Sequence, residues 1–185
     1  MFSSLANKLT LSRIFLIPVI LLLLVLPFGW AAWLAWLLFT IAGVTDWLDG
    51  YVARREKTIS RIGQFMDPVA DKLLVSATLL LLVYNQKIDG LTVLPAVIIL
   101  LREVAVSGLR EYLAGLRVSV PVSKLAKWKT TIQLFALGFL IVGTENAPDW
   151  IPATLIGDWL LWIAGALTLV TAYDYWRASF KHFEE

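Results

Sequence analysis

Four aspartates interrupt an otherwise apolar stretch of the chain: Asp46 and Asp49, then Asp67 and Asp71. Spacings of three and four put each pair on one face of a helix. Only a short polar loop, Arg54 to Ile62, separates the two helices, so they are expected to be antiparallel neighbours with all four carboxylates converging. Four carboxylates at one spot repel each other and cannot all stay ionised without a partner. Nearby basic residues are one possible partner, and divalent cations are another. Oxygen-only ligands suit magnesium, manganese or calcium, while the absence of cysteine and of any nearby histidine disfavours zinc and copper. Two such ions would neutralise four aspartates. A two-metal clamp stabilises both the entering and the leaving oxygen in a displacement at phosphorus.

Plainer readings exist for single residues. Asp67 followed by Pro68 looks like a helix N-cap with proline in the first turn. Asp46 and Asp49 could be structural ion pairs with Arg54 or Lys72. Caps and pairs explain residues one at a time, however, and not four at matched depth. Gly50 and Gly63 each remove a side chain beside the presumed ligand volume and let a bulky group approach the backbone; helix packing is their alternative role.

The elements that hold these residues are read from composition and hydropathy. The chain has 185 residues, is 59% hydrophobic and only 16% charged, with a mean hydropathy of +0.76. That is too little polar surface to clothe a soluble core, so the lipid bilayer is the expected solvent. Apolar runs at about 11–27, 31–53, 67–84, 92–113, 128–144 and 154–176 predict an all-α polytopic membrane protein with six transmembrane helices. Residues 1–185 read as a single membrane domain without internal repeats. A short interfacial helix before Thr10 is a further expectation. The first run is too long for a signal-peptide core and no small-residue cleavage site follows it. With six spans both termini share one side, and that side collects Lys8, Arg13, Arg54, Arg55, Lys57, Arg61, Arg110, Arg117, Lys124, Lys127, Lys129, Arg177 and Lys181, against Lys87 alone opposite. The basic side is therefore expected to be cytoplasmic. Tryptophans near helix ends, such as Trp30, Trp33, Trp150 and Trp159, suit an aromatic belt.

Taken together, the site residues read Asp46-x-x-Asp49-Gly50-x-x-Ala53-Arg54, eight residues, then Gly63-x-x-x-Asp67-x-x-x-Asp71. This resembles, without a gap, the signature of the CDP-alcohol phosphotransferase family. The opening Asn7-x-x-Thr10-x-x-Arg13 is similar too, and so is the six-helix layout. The stretches Val69 to Lys72, Arg102-Glu103, Leu109 to Glu111 and Lys127-x-Lys129-Thr130-Thr131 resemble the members of that family that act on glycerol 3-phosphate. The resemblance implies that Asp46, Asp49 and Asp67 are metal ligands for magnesium or manganese, with two ions expected. Asp71 would be the general base and a further contact to the second ion. Gly50, Ala53, Arg54 and Gly63 would border the CDP-diacylglycerol, with Asn7 and Thr10 near its cytidine. The implied partners are CDP-diacylglycerol, an alcohol, the bilayer and a second copy of the chain in a homodimer, with no nucleic acid. The implied reaction is attack by the alcohol on the phosphorus that carries diacylglycerol, with CMP leaving.

The family leaves the alcohol open, and the charge pattern narrows it. Arg110, Arg117, Lys124, Lys127 and Lys129 fall near the same membrane face as the aspartates. Arg102 lies deeper, where pairing with Glu103 is expected. Cations next to an anionic metal site suit an acceptor with its own phosphate, and Arg110, Lys124 and Lys127 are the expected phosphate ligands. Glycerol 3-phosphate leads, followed by inositol phosphate and then serine. These charges could instead fix topology and attract anionic headgroups. Arg13 either faces the site or snorkels to the surface. An ion-coupled transporter is the rival class, but it calls for polar groups at mid-bilayer and related halves. The carboxylates here lie toward one face, and no second half mirrors the first.

Overall fold

The computed structural model describes the backbone of residues 5–56, 61–116, 118 and 124–180, and the side chains of residues 12–45, 66, 68–116, 118 and 125–180. Within these residues the chain is all-helical: α1 (Leu5–Val25), α2 (Gly29–Glu56), α3 (Arg61–Tyr84), α4 (Val93–Gly115, entered through a 3-10 turn at Gly90–Thr92), α5 (Lys124–Val142) and α6 (Ala153–Phe180). Each coincides with one of the six apolar runs. No separate helix precedes α1 among the described residues. Nothing between Leu5 and Leu11 breaks a helix, and α1 continues even past Pro18.

The largest departure from expectation is the start of α3. It begins at Arg61, so Pro68 stands inside the helix rather than in its first turn. Asp67 is therefore an interior residue and not an N-cap. An interior proline removes the hydrogen bond that would return to the carbonyl four residues earlier, and the surrounding structure must support the helix through that point. The structural explanation for Asp67 loses its basis.

Loop contacts fix how the helices run. Asn85, just after α3, donates to the Leu24 carbonyl at the end of α1 at 2.7 Å. Lys87 donates to the Ile141 carbonyl at the end of α5 at 2.7 Å and pairs with Glu145 at 2.7 Å. Trp33 Nε1, near the start of α2, donates to the Asn146 carbonyl at 3.1 Å. The C-termini of α1, α3 and α5 thus share one end of the bundle with the start of α2. The end of α2, the start of α3, the end of α4 and the start of α5 lie at the other.

Packing follows residue size. Ala31, Ala35 and Ala42 on α2 are fully buried, and this small-residue stripe lets neighbouring helices approach closely. α1 packs against α2 and α3, while α6 packs against α4 and α5. Gly157 and Gly165 set the last two contacts. A Cβ at Gly157 would meet Leu140 Cγ at 2.6 Å, and one at Gly165 would meet Pro95 Cβ at 2.9 Å. The outward surface is apolar: Leu94, Val97, Leu101 and Val104 form an exposed stripe on α4, and Leu155, Trp159, Leu169 and Tyr173 do so on α6. An apolar exterior of this extent needs lipid against it. Among the described residues, three helical stretches are long and apolar enough to cross a membrane (Gly90–Gly115, Leu125–Val142 and Ala153–Phe180), with shorter apolar stretches at Ser12–Val25 and Gly29–Thr45.

Candidate active site

The aspartates lie at the end of the bundle opposite Lys87. Asp49 is seven residues before the end of α2 and Asp67 six residues after the start of α3; Asp46 and Asp71 are each ten residues from those ends. At 1.5 Å per residue the inner and outer members sit at about 10 and about 15 Å. Depth is thus matched pair by pair. The ends of α2 and α3 are separated by a link of only residues 57–60, which spans at most about 18 Å. The side chains of Asn7, Thr10, Asp46, Asp49, Ala53, Arg54, Asp67 and Lys124 lie outside the described residues, as do the surroundings of Gly50 and Gly63. Their helices, and so their depth and register, are described. A donor set of carboxylates alone, arranged at matched depth, fits hard divalent cations.

Around Glu103 the structure adds a buried ionic network spanning three helices. Glu103 on α4 accepts at Oε1 from Arg102 Nη1 at 3.1 Å and from Lys129 Nζ on α5. Arg102 Nη2 donates onward to Thr171 Oγ1 on α6 at 3.2 Å. The Asp71 carboxylate is near enough to act on the Lys129 ammonium through its charge. Its neighbour Lys72 donates to Ser107 Oγ on α4, one turn beyond Glu103. Lys72 is therefore committed to α4. The Arg102–Glu103 pairing expected from the sequence is present, but Lys129 as its third member was not foreseen.

The basic residues divide by helix face. Lys127 is exposed, while Lys129 is buried on the α5 stripe that continues through Gln133, Ala136, Leu137 and Leu140. That stripe has helical period and is the signal that singles Lys129 out. Arg110 is exposed at the far end of α4 with its guanidinium over the Tyr175 ring of α6, 5.4 Å from the centroid. Arg13 does not snorkel: its side chain is buried at 1% exposure within α1. A buried arginine in the half of α1 that lies at the aspartate end is an inward-facing group.

This end of the bundle therefore holds the helix segments that carry the four aspartates at matched depth, the buried Lys129 paired with Glu103, and Arg110 over the Tyr175 ring. Residues 3–170 match the family model described as CDP-alcohol phosphatidyltransferase. The chain belongs to the CDP-alcohol phosphatidyltransferase family. Curated relatives cover nearly its whole length. A protein of Rickettsia typhi is 45% identical over 97% of this chain and 99% of its own. One of Haemophilus influenzae is 44% identical over 92% and 90%, and one of Bacillus subtilis 38% identical over 96% of each. All three carry the name CDP-diacylglycerol--glycerol-3-phosphate 3-phosphatidyltransferase. The CDP-alcohol phosphatidyltransferase match includes the aspartates, Arg102, Glu103, Lys129 and Arg110. It ends before Thr171 and Tyr175.

Proposed function

We propose that the protein transfers the phosphatidyl group of CDP-diacylglycerol to glycerol 3-phosphate, giving phosphatidylglycerophosphate and CMP. The observation that carries this reading is end-to-end similarity, at 44–45% identity over 97% of the chain, to relatives named for that transfer. We further assign six membrane spans in the cytoplasmic membrane of a bacterium, with the aspartate end facing the cytoplasm. Support comes from the alternating helix directions and from the thirteen cations on that side against Lys87 on the other. The chain acts as one membrane domain and as a homodimer.

Asp46, Asp49, Asp67 and Asp71 would hold two magnesium or manganese ions. When bound there, such ions neutralise the diphosphate and make CMP a better leaving group. Asn7, Thr10, Gly50, Ala53, Arg54 and Gly63 border the nucleotide, while the acyl chains stay in the bilayer. Asp71 accepts the proton of the acceptor hydroxyl. The hydroxyl oxygen forms its new bond to the phosphorus bearing diacylglycerol, and the bond from that phosphorus to the CMP oxygen breaks. Arg110, Lys124 and Lys127 bind the acceptor phosphate, with Lys129 adding positive potential beneath them. A phosphorylated acceptor suits this pocket because guanidinium and ammonium groups form charge-assisted bonds with phosphate.

Acceptor competition with purified protein in lipid tests the assignment. Glycerol 3-phosphate is expected to outrun inositol phosphate and serine. Preference for serine would remove the case for a phosphate pocket.

A further inference from the structure

Tyr175 lies near the end of α6, beyond the part of the chain that the family model matches. Its ring is buried at 8% exposure in a small apolar cluster with Val106 and Leu113 of α4, walled by Leu109, Val118 and Ala172. One face of the ring carries the Arg110 guanidinium, 5.4 Å from the centroid. The cluster fixes the ring, and the ring fixes the arginine.

This contact differs in kind from those of the other cations nearby. Arg102 spends donors on Glu103 and Thr171, Lys129 donates to Glu103, and Lys72 to Ser107. Arg110 has no carboxylate partner among the described residues. An aromatic ring holds a cation placed over it through the ring's quadrupole and leaves the charge uncancelled. Arginine carries five N–H donors, and those not turned to the ring stay available for charge-assisted bonds to a phosphate. A carboxylate would hold the arginine equally still but would occupy its donors and cancel its charge. Arg110 is one turn beyond Ser107 on α4, about 4.5 Å further along the axis toward the aspartate end.

We propose that Tyr175 is a positioning residue for acceptor binding, holding Arg110 over its ring so that the remaining N–H donors meet the phosphate of the incoming alcohol. This rests on the reading that Arg110 contacts that phosphate. Tyr175 touches neither substrate, and its effect passes through the arginine. The aromatic face is what acts, so phenylalanine retains the function and an aliphatic side chain of similar bulk does not.

Steady-state kinetics of the full-length protein in mixed micelles, with both substrates varied, decide the matter. Tyr175→Leu is expected to raise the KM for glycerol 3-phosphate by roughly three- to tenfold, the range of a partly desolvated cation–π contact, leaving kcat and the KM for CDP-diacylglycerol within about twofold. Tyr175→Met does the same and replaces the leucine variant should that one not fold. Tyr175→Phe stays near wild type. Arg110→Gln raises the same KM further, and Tyr175→Leu adds nothing in that background. Inorganic phosphate, as competitor against glycerol 3-phosphate, weakens in parallel. If Arg110→Gln raises the acceptor KM but the aliphatic variants at Tyr175 do not, the positioning role is wrong and the phosphate pocket stands. An unchanged acceptor KM in Arg110→Gln overturns the pocket and the positioning role with it. Equal losses in Tyr175→Phe and Tyr175→Leu, or a fall in kcat alone, mean that the hydroxyl or the fold is at work and overturn the proposal.

Discussion

Replacing Glu103 by glutamine removes a single negative charge from between two buried cations. The side chains of Glu103, Arg102 and Lys129 are 17%, 12% and 3% exposed, so little water can take over the lost carboxylate. Breaking a buried ion pair by removing one partner costs about 3–5 kcal/mol, because the remaining charge stays buried. The amide oxygen still accepts one hydrogen bond, returning about 1 kcal/mol, and Arg102 keeps its bond to Thr171. Glu103→Gln should therefore destabilise the protein by about 2–4 kcal/mol. At roughly 2–4 °C per kcal/mol for a chain of this size, thermal unfolding in detergent should fall by about 4–16 °C. Lys129→Met in the same background removes the uncompensated ammonium and should recover a substantial part of the loss. A shift under about 1 °C for Glu103→Gln, or a further drop with Lys129→Met, would refute the reasoning that this network holds α4 and α5 together by charge.

Other parts of the account predict different outcomes. Asp71→Asn should lower turnover by about 10²–10⁴-fold, the usual worth of a general base, while sparing most CDP-diacylglycerol binding. Asp49→Asn should raise the magnesium needed for half-maximal activity by at least about tenfold; equal losses of binding and turnover in both variants would show the base to be misassigned. Gly157→Val drives a side chain into Leu140 Cγ, 2.6 Å from the Cβ position, and should destabilise by about 1–3 kcal/mol, measured by denaturation in detergent. Lys87→Met removes the bond to the Ile141 carbonyl and the pair with Glu145 at the end away from the aspartates. It should lower stability by about 1–3 kcal/mol without changing kcat/KM; lost activity at unchanged stability would count against that division of labour.

Much of this architecture was legible in the sequence because apolar runs of this length, set off by polar and Pro/Gly breakers, fold as helices, and the six runs coincide with α1 to α6. The start of α3 was not. Residues 61–66 carry no continuous apolar run, and Asp67-Pro68 looks locally like a helix beginning. A proline sustained inside a helix depends on tertiary support, which no local pattern reports. The aspartates stood out by type, spacing and setting, since carboxylates three and four apart within apolar runs are costly without a partner; the structure gives their helices and depth, and the side chains of Asp46, Asp49 and Asp67 lie outside the described residues. The cations were harder. Lys127 and Lys129 are indistinguishable by composition, and only the buried stripe through Gln133 and Leu137 separates the inward residue from the outward one. Arg13 was equally ambiguous, because a long side chain near a helix end can turn either way until its neighbours are known. Tyr175 could not be singled out from sequence. Its pairing with Arg110 joins residues sixty-five positions apart on two helices.

The most direct measurement follows the products of the purified protein in liposomes containing CDP-diacylglycerol. With glycerol 3-phosphate and magnesium or manganese present, CMP and phosphatidylglycerophosphate should appear in equal amounts, and chelation of the metal should stop both. CMP release that ignores glycerol 3-phosphate, or transfer that persists after chelation, would contradict the account.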